Sequence, residues 1–196
     1  SISFWVKYLP YVVNKILLGK RFESSYSVLS ANGGDITFYT NNTYLSTGNI
    51  GVNDGVWHHV LCTVDASSKN IYVDGILKAT GASVLPTIDT TSLYIGSAGG
   101  FFAPFDGSLA EVSIYNTAKA VGDLWDGSGI PTDLSSESGI VSWWKLGESA
   151  TFSGGVWTVP DEVGSNNGTS ANMTIEDRVG SAPSSSNNAL SFNMDL

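Results

Sequence analysis

Residues 55–65 read GVWHHVLCTVD, residues 71–77 IYVDGIL, residues 93–98 LYIGSA and residues 105–116 FDGSLAEVSIYN. Each piece alternates apolar with polar side chains or makes a short apolar run, the pattern of a β-strand with one or both faces buried. Asp74-Gly75 splits the second piece, and these residues tolerate the positive φ of a two-residue hairpin turn. Toward the N-terminus the pattern repeats in Ile2–Lys7, Lys15–Gly19, Tyr26–Ser30 and Asp35–Tyr39, with Asn32-Gly33-Gly34 as a second turn. Short strands at regular spacing with turn signals between them predict an all-β antiparallel sandwich or barrel, and no alternation of strands with helices. Only Thr117–Trp125 carries helical spacing, through Ala118, Val121 and Leu124, with Gly127 as its stop.

Composition narrows the function classes. Only 14 % of the 196 residues are charged, and nine basic against eighteen acidic residues leave a net charge of −9. An acidic chain without a basic run gains little from phosphate contacts, so a nucleic-acid partner is not expected. No apolar stretch approaches the roughly 20 residues of a membrane helix, so insertion by that route is not expected either. Six Trp, eight Tyr and eight Phe argue against disorder. The single cysteine, Cys62, lies in an apolar run and reads as a small buried hydrophobe. After Gly127 the chain turns polar. This places a sandwich at residues 1–130 and an acidic extension at 131–196, the latter broken by Ile140–Leu146 (IVSWWKL) and a terminal Ala189–Phe192 (ALSF).

The four pieces, in this order and spacing, resemble a laminin-G-type module of the concanavalin A-like lectin/glucanase superfamily. The resemblance covers about residues 1–126 and implies a two-sheet antiparallel jelly-roll sandwich, here with one short helix and a C-terminal extension. Such modules open with a Trp-Lys-Leu-x-Glu strand, an Asp…Gly…Asn-Gly-Thr loop and an Ala-Leu-x-Phe strand. In this sequence those elements come last, as Trp143–Glu148, Asp161 with 164–169, and Ala189–Phe192. Two explanations stay open: a circular permutation whose tail fills the vacated sheet positions, or a piece of a longer protein whose tail begins the next unit. Either way an unpaired edge needs covering, by this tail or a neighbour's. The run Gly129–Ser135 (GIPTDLS) followed by Trp143–Glu148 (WWKLGE) also resembles structural proteins of marine tailed phages. That implies a virion surface location, the alternative being extracellular, with other virion proteins or further copies of the chain as partners.

The candidate chemistry is binding. Superfamily glucanases carry Glu-x-Asp-x-x-Glu on one strand, so that the carboxylates share a face. Here Glu111 stands alone in LAEVSIY, and Asp161-Glu162 and Glu176-Asp177 are adjacent pairs that point to opposite faces of a strand. A non-enzymatic protein is expected. Glycan adhesion calls for exposed aromatics beside hydrogen-bonding groups. Phe101, Phe102 and Asp106 in the Gly-rich stretch 98–107 are the first candidates, with Tyr39 and Asn42, beside Asn41 and Tyr44, in a second polar–aromatic loop. Phe105 reads as a plug for the sandwich end. His58 and His59 are neighbours on a strand and cannot jointly chelate a metal, and at most one faces the core. Calcium is the only cofactor considered, because oxygen-rich loops suit it. Asp54 and Asp106 are its leading candidates, with Asp35 and Asp65 behind, although Asp before Gly is ordinarily a turn former.

Overall fold

A computed structural model describes residues 1–11, 13–20, 25–88, 90–97, 103–170, 172–180, 183 and 189–191. In chain order the strands are β1 (Ile2–Lys7), β2 (Lys15–Lys20), β3 (Tyr26–Ala31), β4 (Asp35–Thr40), β5 (Thr43–Ser46), β6 (His58–Val64), β7 (Ser68–Val73), β8 (Ile76–Ala82), β9 (Tyr94–Ile95) and β10 (Ser108–Tyr115). A single helical turn, α1 (Val121–Leu124), follows. The tail adds β11 (Ile140–Trp144), β12 (Thr151–Ser153), β13 (Val156–Val159), β14 (Gly168–Thr169), a 3-10 turn at Ile175–Asp177, β15 (Arg178–Val179) and β16 (Ala189–Ser191). They form one sheet in the order β15-β16-β10-β1-β6-β7-β8, with β11 also on β10, and a five-stranded sheet in the order β5-β4-β3-β2-β9. A small β12-β13-β14 sheet stands beside them. All ladders are antiparallel, giving a two-sheet sandwich of the concanavalin A-like jelly-roll kind.

The main core lies between the two large sheets. Phe4, Val6, Val60, Cys62, Ile71 and Leu109 from one sheet meet Leu18, Val28, Ile36 and Phe38 from the other. Lys69 also enters this space. Its ammonium donates to Thr43 O (3.1 Å) and Thr43 Oγ1 (3.2 Å) and sits 5.5 Å from the centre of the Phe38 ring, so its charge is met and its stem packs as a hydrocarbon. The far side of the larger sheet is covered as well. Leu61, Tyr115 and Trp143 pack against Leu124 and Leu134, and His59 stacks on Trp125 at 5.5 Å and 19°.

The edge of β10 away from β1 is occupied by the tail of the same chain. β11 pairs along Val112–Tyr115, and β16 pairs at Ser108 and Leu109. One carboxylate fastens this arrangement. Asp161 Oδ1 accepts from the backbone N–H of Trp143 (2.9 Å) and Gly164 (3.1 Å), and Oδ2 accepts from Asn166 N–H (3.1 Å). The Trp144 indole in turn donates to Asn166 O at 2.8 Å. The Asp…Gly…Asn-Gly-Thr loop noted in the sequence is therefore the clasp that holds β11 in register.

Two expectations need correction, and one element is additional. The nine-residue helix shrinks to the four residues of α1, because only Leu124 is buried and Trp125 leaves in extended backbone (φ −141°, ψ 114°) to reach Trp5. The polar–aromatic stretch after Tyr39 is a loop only at Asn41 and Asn42; Tyr44 lies on β5. The β12–β13 hairpin, turning at Gly154-Gly155, was not anticipated.

Candidate functional site

Antiparallel partners share a sheet face. Tyr44 faces Tyr39, Tyr39 faces Ser27, Ser27 faces Gly19, and Gly19 faces Tyr94. The neighbouring row Leu45–Phe38–Val28–Leu18 points into the core, so this row points away from it. The outer face of the five-stranded sheet thus carries a line of five residues with tyrosines at its two ends and small residues in its middle. Tyr39 and Tyr44 touch with ring centres 5.5 Å apart. Tyr44 is 67 % exposed and Tyr94 42 % exposed. Gly19 has little room for a side chain, since a Cβ there would lie 3.0 Å from Ser27 Cβ. Ser27 Oγ is buried with no hydrogen-bond partner among the described residues.

Asn42 stands at the end of this line, exposed, in the turn before β5 at φ 60°. Its neighbour Asn41 holds the 85–87 segment, donating to Leu85 O (2.7 Å) and accepting from Thr87 N–H (2.9 Å). Of the expected residues the structure therefore groups Tyr39 and Asn42. Asp106 is exposed on the loop before β10, where its charge is felt by the Tyr11 hydroxyl at the opposite end of β2 from Gly19. Phe105 is the plug anticipated, buried and set edge-on to Tyr8 at 5.7 Å. Phe101 and Phe102 lie outside the described residues. Their segment is bracketed by Gly96, whose N–H donates to Leu17 O (2.7 Å), and Ala103, whose carbonyl accepts from Ile16 N–H (3.0 Å), so it starts and returns beside β2. Ser27, Gly19 and Tyr94 escaped sequence reasoning because only the register of four strands aligns them with Tyr39.

At Asp54 the carboxylate is already in use: Oδ1 accepts from Val56 N–H (2.9 Å) and meets His58 Nε2 at 3.2 Å. Among the described residues no group of three or more His, Cys, Asp or Glu side chains comes together. His58 instead bridges two carboxylates, with Asp74 Oδ2 2.7 Å from its Nδ1. The Asp74 hydrogen bond raises the His58 pKa above its usual 6.5, against the effect of burial, and Asp54 adds to it. A raised folded-state pKa means that this contribution to stability is complete below about 6.5 and is lost as pH rises through the raised value. An NMR titration of His58 is expected to give a midpoint above 6.5 that drops in Asp74→Asn; an unmoved midpoint would refute the bridge.

A family model described as the concanavalin A-like lectin/glucanases superfamily, of laminin-G type, matches residues 1–123. This chain belongs to the concanavalin A-like lectin/glucanase superfamily. Among curated proteins, none matches the sequence. Among solved structures, the module is similar to a Bacteroides ovatus protein named provisionally for carbohydrate binding, with a TM-score of 0.69 and 22 % identity over 87 % of this chain. That alignment takes in 52 % of the Bacteroides protein, so this chain spans about half of its length. The receptor-binding domain of a botulinum neurotoxin C/D mosaic serotype gives a TM-score of 0.50 at 13 % identity, over 82 % of this chain and 46 % of that one. Domain 4 of an extracellular arabinanase from Geobacillus stearothermophilus, solved with arabinotriose, gives 0.49 at 19 % identity, over 62 % of each chain. At these identities the likeness is one of fold.

Proposed function

We propose that this chain is a non-enzymatic glycan-binding module that adheres through the outer face of its five-stranded sheet, with Phe101 and Phe102 as further contacts read from the sequence alone. The observation that carries this reading is the row Tyr44–Tyr39–Ser27–Gly19–Tyr94. Aromatic faces accept the apolar face of a sugar ring, while few and well-placed polar groups fix its orientation. The exposed rings of Tyr44 and Tyr94 at the two ends of the row supply the first, and Asn42 and the tyrosine hydroxyls supply the second. Superfamily membership and the likeness to the Bacteroides ovatus protein support the same reading. A glycan array is the test. At least one glycan class is expected to bind, and Tyr39→Ala should weaken it by about tenfold, the loss of one good contact. Phe101→Ala or Phe102→Ala should weaken it further. An array without signal, or a signal indifferent to all three changes, refutes the proposal.

A second reading places the module on the surface of a virion, as a decoration, fibre or appendage subunit among other virion proteins or copies of itself. It rests on the succession of Gly129–Ser135 and Trp143–Glu148 behind the module. A low-charge surface of Ser, Thr, Asn and Gly suits it, because contacts built without ion pairs are little affected by salt. Particles lacking the protein should differ in outline or composition by electron microscopy; unchanged particles refute this reading. A secreted bacterial adhesion module, cut from a larger protein, would instead show the glycan binding without the particle.

A further inference from the structure

The connection between the two large sheets leaves β5 at Ser46 and enters β6 at His58. Its middle is fixed to the β3–β4 turn, where Gly51 N–H donates to Gly33 O at 3.1 Å, and Val52 is buried in the main core. Its last stretch is fixed differently. Gly55 N–H donates to Tyr8 O at 3.0 Å, and Asp54 reaches back to the His58 ring. Two exposed apolar side chains lie here, Val56 and Leu9, the latter with Cδ2 3.1 Å from where a Cβ on Gly55 would stand.

His58 has a carboxylate at each ring nitrogen. Nδ1 is 2.7 Å from Asp74 Oδ2, and Nε2 is 3.2 Å from Asp54 Oδ1. An ionised carboxylate can only accept, so both bonds need a proton on both nitrogens. The imidazolium has two N–H groups and the neutral ring has one. Loss of a proton must therefore break one of the two bonds, whichever tautomer forms.

The surroundings decide which bond goes. Asp74 is anchored: its Oδ1 accepts from His59 N–H at 2.9 Å, and its own N–H donates to His59 O at 2.9 Å. Its bond to the ring is also the shorter one. The Asp54 side chain is 47 % exposed and can turn into water. If it stayed, Oδ1 would face a bare Nε2 lone pair, acceptor against acceptor. The other groups around the ring do not compete for its protons. From β1 the residue in register is the uncharged Val6, and Tyr8, whose hydroxyl feels the Asp54 charge, is kept protonated by burial.

We propose that His58 is a proton-operated latch on residues 53–57: the doubly protonated ring fastens Asp54 to β6, and the neutral ring releases Asp54 while keeping Asp74. The Asp74 hydrogen bond holds the ring's pKa above the usual 6.5, with Asp54 adding to it. The latch is therefore closed below about pH 6.5 and opens as pH rises through the raised value. Opening is local, because Gly51 and Val52 keep the rest of the connection in place. The end of the sandwich that displays Leu9 and Val56 is thus ordered in mildly acidic surroundings and loose in alkaline ones. The tyrosine row takes no part in this.

The test follows backbone ¹⁵N relaxation of the full chain at pH 6 and pH 9, in buffer free of divalent cations. The Val56 order parameter is expected to fall from about 0.85 to below about 0.6, while that of Val60 on β6 stays high. The midpoint of the change should coincide with the titration of the His58 ring. In Asp54→Asn the amide can accept from the charged ring or donate to the neutral one, so Val56 should stay ordered at both pH values. A Val56 amide equally ordered at pH 6 and pH 9 in the parent would overturn the proposal. So would loosening of Val60 along with it, a midpoint apart from that of His58, or an unchanged pH dependence in Asp54→Asn.

Discussion

A chain ending at Gly129 is expected to be insoluble or unfolded, although the family match ends at residue 123. The cut strips β11 and β16 from β10 and leaves a bare edge at the strand that pairs with β1. Unpaired edges of this kind recruit other chains. It also removes Trp144, Leu146, Ala150, Trp157 and Val159 from the main core and Leu134 and Trp143 from the cluster beneath α1. A large buried apolar side chain is worth roughly 1.5–3 kcal/mol, so the lost set rivals the whole 5–15 kcal/mol of a typical domain. The full chain carrying Trp144→Ala should lose about 3–5 kcal/mol, within reach of a denaturant melt. A truncated protein that stays monomeric and melts cooperatively near the temperature of the full chain would show that the tail is an appendage.

Glu111→Gln is expected to stabilise the protein at alkaline pH. Burial pushes the Glu111 carboxyl up from 4.5 to about 7, with Glu148 and Glu162 adding to the rise while the Trp143 hydrogen bond and Lys145 oppose it. Between pH 4.5 and 7 the folded protein therefore binds more protons than the unfolded chain, and this group's contribution falls as pH rises through that window. Above about pH 7 the full cost of the buried charge is present, about 3 kcal/mol for a shift of this size. Glutamine keeps the shape and an acceptor for Trp143 and removes the charge. The variant and the parent should be close at pH 5 and separate by about 3 kcal/mol at pH 8. Comparing the two at each pH cancels the opposite trend from His59, whose burial lowers its pKa to about 4 and makes acid destabilising. Parallel stability curves for the two proteins would sink this account of Glu111.

The strands were legible because each carries its own period, and Asp74-Gly75 was legible because few other pairs fit its geometry, with φ of 49° and 77°. Gly75 is further constrained by Trp125, whose ring lies 2.4 Å from where a Cβ would stand. The short strands of the tail were harder to read. Thr151–Val159 is only a pair of three- and four-residue strands, too brief for a period to show. The length of the helix is not legible, because Val121 and Leu124 satisfy the same spacing whether one turn forms or three. At the site, Tyr39 and Asn42 advertise themselves as aromatic and polar, but Ser27 and Gly19 are ordinary strand residues until four strands are laid in register. Glu111 looks solitary in the sequence, since nothing local reveals a bulge; it is the need of both Leu109 and Val112 to face inward that turns it outward.

The pairing of β1 with β10 also sets a timetable. Ile2 lies opposite Ile114, and the final strand of the sheet begins at Ala189. β1 can pair with β6 once His58–Cys62 exist, but its other edge stays open until β10 is made, and β10 in turn waits for β11 and β16. Contacts so distant in sequence form slowly. Until those distant strands arrive, Leu109 and Val112 on β10 lack part of their cover, so the larger sheet closes late and its open edge is the segment most in need of protection while it folds.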